Sequence, residues 1–170
     1  MKFLTLALIL LTHVCFSQSI LDKLCFQKIN HYRKSFSKSE FIWNDIAFKA
    51  SNHHSNYLKD SLSDMTISHN ESILVNPQDR LYEYGSNCSK IAENVLLLSM
   101  NFKDSEKQET INLEISNEVL LTWKNSPSHN KAMLNDCKLG GISTIIQKQP
   151  TGIEGFTNYL IWATLVIYNP

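Results

Sequence analysis

The sequence has no excess of charge of either sign. Sixteen Lys and Arg balance sixteen Asp and Glu over 170 residues. A phosphate-binding surface ordinarily leaves a basic surplus, so nucleic acid is not expected as a partner. Glycine and proline are scarce, at five and four residues. No stretch rich in proline, glycine or serine forms a linker, and no internal repeat divides the chain. Past the N-terminus no apolar run approaches the ~20 residues that cross a bilayer, so no transmembrane segment is expected in the mature chain. A composition of 43% apolar and 19% charged residues excludes global disorder. The length suits one domain around one core.

What is present begins with "MKFLTLALILLTHVCFSQ". Lys2 supplies a single positive charge, an apolar run follows from Phe3 to Leu11, and small residues stand at Cys15 and Ser17. This reads as a secretory signal peptide over 1–17, cleaved after Ser17, which leaves a domain over 18–170. The run is too short for an anchor, and His13 and Val14 fit poorly ahead of a lipid-modified Cys15. The mature chain is expected to be a monomer, secreted or periplasmic, in a compartment where disulfides persist. It keeps three cysteines, Cys25, Cys88 and Cys137, an odd number that allows at most one bridge. Cys25 falls on the apolar face of a helix, whereas "GSNCSK" and "NDCKLGG" are polar and loop-like. A Cys88–Cys137 disulfide is the expected pairing.

Helical spacing of Leu21, Cys25, Ile29 and Tyr32 predicts a first helix over 20–36. Asn44 caps a second, with Asp45 in its first turn and Ala47, Ala50, His54, Tyr57 and Leu58 along one stripe. "NPQDRLYEYG" predicts a short helix with Asn76 as cap, Pro77 at its first position and Gly85 as its stop. "IAENVLLLS" reads as a strand. A further helix covers about 109–124, and Ser126 and Pro127 start a short one that carries His129. "GGISTIIQ" and "NYLIWATLVIY" are strands joined through "KQPTGIEG". The last is apolar on both faces, as in a sheet covered on both sides. Helices first and the main hairpin last predict an α+β sandwich rather than an alternating parallel fold.

Polar residues with chemical potential gather in "NHHSNYL", "ISHNES", "IAENV" and "SPSHNKAML". His54 lies on an apolar stripe and reads as a core histidine with one hydrogen bond. His53 points the other way and reads as solvated. His69 sits in a loop, where function concentrates, although a surface histidine fits the same position. Glu93 interrupts an apolar strand. A buried carboxylate must be paired or bind a cation, while a place at the strand's solvent edge would cost nothing, and the sequence leaves both open. His129, near a helix N-terminus, is favoured as the neutral imidazole that binds metals or acts as a base. No compact motif such as HExxH joins these residues.

Taken in order, the pieces resemble the CAP superfamily, also called the SCP or cysteine-rich secretory, antigen 5 and pathogenesis-related domain, in its bacterial branch. "IWNDIAFKASNHHSNYL" resembles the helix pattern L-x-W-x-x-x-L-x-x-A-x-x-H-S. "SHN" resembles the Ser-His segment that follows it. "DRLYEYG" and "AENV" resemble the stretch that ends in Gly-Glu-Asn-Ile. "VLLTWKNSPSHNKAML" resembles W-x-x-S-P-G-H-R-x-x-L, and "GGISTI" with the terminal aromatic strand resembles the closing hairpin. The resemblance implies a three-layer α-β-α sandwich and a cleft lined by a His-Glu-Glu-His tetrad. His69 corresponds to the first histidine, Glu93 to the first glutamate and His129 to the last histidine. The second glutamate of many eukaryotic members falls three residues after the tryptophan, where this chain has Ser126. Glu118 precedes Trp123 and reads as helix surface. Ala92 and Ser128 replace common glycines.

The implied binding cleft is therefore His69, Glu93, Ser126 and His129. His69 and His129 are candidate ligands for a divalent metal such as zinc. Glu93 is either a third ligand or the group that orients one ring. The expected function is a ligand-binding module for a lipid, a glycan or a cell-wall fragment. The alternative is a metal-assisted hydrolase acting on peptide, glycan or lipid, with Glu93, His129 or His69 as catalytic candidates. A third reading is an interaction protein with a residual polar network. Ser126 is discounted as a nucleophile, because an N-cap hydroxyl is expected to be occupied by backbone donors.

Overall fold

The computed structural model describes residues 18–61 and 67–170. The signal peptide expected over 1–17, with Cys15, lies outside them. Helix α1 (Ile20–Ser35) opens the fold, followed by β1 (Ile42–Trp43), α2 (Asp45–Asp60), α3 (Pro77–Glu83) and β2 (Lys90–Lys103). Then come α4 (Gln108–Asn125), α5 (Pro127–Met133), β3 (Leu139–Pro150) and β4 (Phe156–Asn169).

Local chemistry sets the helix starts. Ser19 and Asp22 form a reciprocal capping box on α1, Asn44 accepts from Ala47 N on α2, and Asn76 with Asp79 boxes the start of α3 ahead of Pro77. Gly85, at φ +90°, follows α3 in a conformation that side chains resist. Asp22 also reaches across to β3, where Thr144 N and Oγ1 both donate to it at 2.7 Å. That contact docks α1 onto the sheet.

The sheet order is β1-β3-β4-β2, with β1 parallel to β3 and the other pairings antiparallel. Central β4 sorts its side chains by alternation. Ile161, Ala163, Leu165 and Ile167 enter a core with Cys25, Ile29, Ile115, Val119 and Trp123 from α1 and α4. Trp162 packs with Leu58, and Val166 and Tyr168 with Ala47, Ala50 and Leu81, on the α2 and α3 side. The result is the α+β, three-layer α-β-α arrangement expected from the sequence. Helix α2 lies so close to β3 that a Cβ on Gly141 would fall 2.2 Å from Phe48 N. Ser51 fills the seam, donating to Gly141 O at 2.8 Å and accepting from Val166 N at 3.1 Å.

The Cys88–Cys137 disulfide is not formed: Cys25, Cys88 and Cys137 are all free. Cys88 packs on the α2/α3 cluster, whereas Cys137 belongs to the α1/α4 core. Polar flanking residues did not reveal that the sheet separates the two thiols. Cys25 is buried in the core as expected.

Candidate functional site

Strand β2 is an edge strand, and its alternation sends neighbouring residues into opposite layers. Glu93 pairs across the ladder with Val166, a residue of the α2/α3 face. Asn94 lies on the other face and donates to His129 O of α5 at 3.0 Å. His69 approaches from the α2/α3 side, where its Nδ1 meets Glu93 Oε1 at 3.0 Å. The two histidines thus reach the rim of β2 from opposite layers. His69 is close enough to His129 that its charge adds to burial, the larger cause, in lowering His129 below the ordinary imidazole range. His129 is accordingly a neutral ring at pH 7.

Glu93 is buried, with 1% of its side chain exposed, which decides between the two readings open in the sequence. Its compensation is Arg80, fully buried, whose Nη2 donates to Glu93 Oε2 at 2.6 Å. Arg80 also pairs with Glu71 at 3.3 Å and donates to the carbonyls of His69 and Leu74 at 3.3 Å. One guanidinium therefore holds both carboxylates and the loop that carries His69.

Sequence reasoning missed Glu71, Arg80 and the part played by both histidines of "NHHS". His54 is fully buried but makes two hydrogen bonds rather than one, to Glu71 Oε1 and to Ser68 O, both at 2.7 Å. A carbonyl can only accept, so Nε2 carries a proton. Burial opposes ionisation of Glu71, but the His54 hydrogen bond and the nearby charges of Arg80, His53 and His54 outweigh it and hold its carboxyl below the ordinary range. The buried set thus joins His54 and Arg80 to the carboxyl groups of Glu71 and Glu93. His53 is not simply solvated: its Nε2 lies 3.0 Å from Glu71 Oε2 and its Nδ1 3.0 Å from the Tyr84 hydroxyl. The available signals were weak, a His-His pair on α2 and a glutamate two residues after His69.

Ser126 occupies the N-cap position of α5 without a side-chain cap hydrogen bond. Its hydroxyl faces Ser128 Oγ at 3.3 Å, so the occupied hydroxyl expected from the sequence is not found. The donor chemistry suits a metal held by nitrogen. Glu93 faces Nδ1 of His69 and leaves its Nε2 open on a ring that is 50% exposed. His129 Nδ1 is buried without a partner. Among the described residues no group of three His, Cys, Asp or Glu is arranged to hold a metal ion, and the Glu93 oxygens face His69 and Arg80.

Solved structures carry the same fold. An outer surface protein of Borrelia burgdorferi matches with a TM-score of 0.60 at 21% identity, over 87% of this chain and 92% of its own. An extracellular protein from Bacillus anthracis that contains an SCP domain matches with a TM-score of 0.62 at 18% identity, over 88% of this chain. The match spans 40% of that longer protein. No protein-family model and no curated protein matches the sequence. The chain has the fold of SCP-domain proteins, as the resemblance implied.

Proposed function

From that fold, we propose that the chain is an extracellular ligand-binding module of CAP/SCP type. His69 and His129 hold a divalent metal such as zinc at the rim of β2, and the ligand is a lipid, a glycan or a cell-wall fragment. The observation that carries this reading is the commitment of Glu93. Oε1 faces the His69 ring at 3.0 Å and Oε2 the Arg80 guanidinium at 2.6 Å, so both oxygens are already engaged in positioning contacts. That argues for an orienting carboxylate behind a metal ligand and against a hydrolytic base. Two protein nitrogens form a weak, exchangeable site that leaves positions for water and ligand. No helix among the described residues is long and apolar enough to cross a membrane, and the two similar structures are described as outer-surface and extracellular proteins. Those descriptions support a location outside the cytoplasm.

The test is a calorimetric zinc titration of the 18–170 chain beside its His69→Ala and His129→Ala variants. One zinc in the wild type, with binding lost in each variant, supports the shared site. Folded proteins that do not bind, or variants that bind like the wild type, reject it and leave an organic-ligand cleft to be screened with lipids and glycans.

A further inference from the structure

A second buried guanidinium lies at the end of α1. Arg33 is 2% exposed, and its guanidinium sits over the Phe41 ring at 3.6 Å. Nε donates to Ser39 O at 2.7 Å, and Nη1 donates to Met133 O and Asn135 O at the end of α5. All three acceptors are neutral carbonyls. Arg80 meets two carboxylates, but among the described residues none lies within ion-pair distance of Arg33. Its Nη2 makes no hydrogen bond there either, yet it is not one of the enclosed unpartnered atoms, so it opens to solvent. Burial, the first cause, lowers the Arg33 guanidinium from its ordinary value against the opposing effects of Asp136 and Cys137. That is the direction expected of a buried cation whose counter-charge is incomplete.

Arg33 lines a cavity of about 520 Å³, within the range of ligand pockets, between the turn after α1 and the segment that leads into β3. Lys38 and Lys138 line it too. So do two acids, and both are already paired: Asp136 with Lys38 at 2.8 Å, and Glu40 with Lys34 at 2.7 Å. Arg33 and Lys138 are left as cations without an ion-pair partner among the described residues. The field has the matching sign. Lys38 first, then Lys90 and Arg33, hold the exposed Asp136 carboxyl below its ordinary range. The hydroxyls of Ser37 and Ser39 can donate or accept, and Ile42 and Cys137 supply the apolar part of the wall. A fixed guanidinium nitrogen, an ammonium and two hydroxyls suit an anion with several oxygens better than a carboxylate with two.

We propose that this cavity binds a tetrahedral oxyanion, a phosphate or sulfate group, with Arg33 and Lys138 as its counter-charges. The site shares no residue with the metal reading and its test uses no metal. The chemistry is common to a free inorganic ion and to a phosphate or sulfate ester. The 18–170 chain, labelled with ¹⁵N, is titrated at neutral pH with phosphate, sulfate, glycerol 3-phosphate, glucose 6-sulfate and acetate, with chloride holding the ionic strength constant. Amide and arginine side-chain signals are followed. Saturable shifts confined to 33–42 and 133–139, with a shift of the Arg33 guanidinium signals, are expected with phosphate, sulfate or both, and not with acetate. An ester that binds more tightly than its own inorganic ion assigns an ester source, and the reverse order assigns the free ion. Lys138→Gln, a change at an exposed side chain, should weaken binding about fivefold. No saturable binding of either oxyanion, equal binding of acetate, Arg33 signals unmoved at saturation, or an unchanged affinity in folded Lys138→Gln would overturn the proposal.

Discussion

Arg80 Nη2 donates to Glu93 Oε2 across 2.6 Å with 0% and 1% of the two side chains exposed. The same guanidinium reaches Glu71, 97% removed from solvent, at 3.3 Å. One buried cation therefore stands between two buried carboxyl groups, with the His54 ring bonded to one of them at 2.7 Å. Charges this deep are tolerated only as a set, since each would otherwise meet its full desolvation cost.

Removing the shared cation should be severe. Arg80→Met is expected to lower unfolding stability by about 3–5 kcal/mol, because it leaves two buried carboxyl groups without the guanidinium they share. Urea unfolding measures it, and a loss below ~1 kcal/mol would contradict the assigned role.

Glu71 should shape the acid limb of the stability curve. Its carboxyl is held below the ordinary value of 4.5, so between its folded and unfolded values the unfolded chain binds more protons and stability rises with pH. The contribution is complete above the unfolded value and is lost as pH falls through the folded one. Stability measured from pH 6 down to pH 3 should fall more steeply in the wild type than in Glu71→Gln. Parallel curves would reject the assignment.

Glu93→Gln should weaken zinc binding roughly tenfold if Glu93 fixes the tautomer and orientation of the His69 ring, as partners behind metal-bound histidines do. Competition against a chromophoric chelator gives the ratio. An unchanged affinity in a folded variant would show that His69 needs no orienting carboxylate.

Thiol chemistry checks the cysteines. Burial pushes the Cys25 thiol up, and the Cys88 and Cys137 thiols are raised from the same first cause. All three cysteines of the 18–170 chain should react with a disulfide reagent in denaturant without prior reduction. In the native state only Cys88, the one not buried, should react promptly. A single reactive thiol in denaturant would mean that a bridge forms after all.

Gly141→Ala should cost about 3 kcal/mol or more. The added carbon would meet Phe48 N at 2.2 Å and Ala47 C at 2.7 Å, both backbone atoms of α2, so the helix must lift off β3. Thermal unfolding measures the loss, and a melting temperature within a degree or two of the wild type would refute this close packing.

Much of the fold was legible because its signals are local. Ser19, Asn44 and Asn76 mark helix starts through hydrogen bonds to backbone two or three residues on. Gly85 follows α3, and the doubly apolar run of β4 announces a strand covered on both faces. His69, Glu93 and His129 were identified through the resemblance, not through spacing. His54 illustrates what periodicity misses: its place on an apolar stripe correctly predicts burial, but burial says nothing about which polar atoms wait inside.

The sequence by itself determined the caps, the helix stripes and the strand alternation, since each depends on atoms a few bonds apart along the chain. Only the tertiary structure decided that His54 meets Glu71 from 17 residues away and that His69 meets Glu93 from 24. It likewise placed Arg80 between the two carboxylates and Cys88 and Cys137 in different layers. A charge in the sequence carries no record of its partner. That partner is chosen when the apolar faces of α2, α3 and the sheet close together and leave the enclosed ions only one another to pair with.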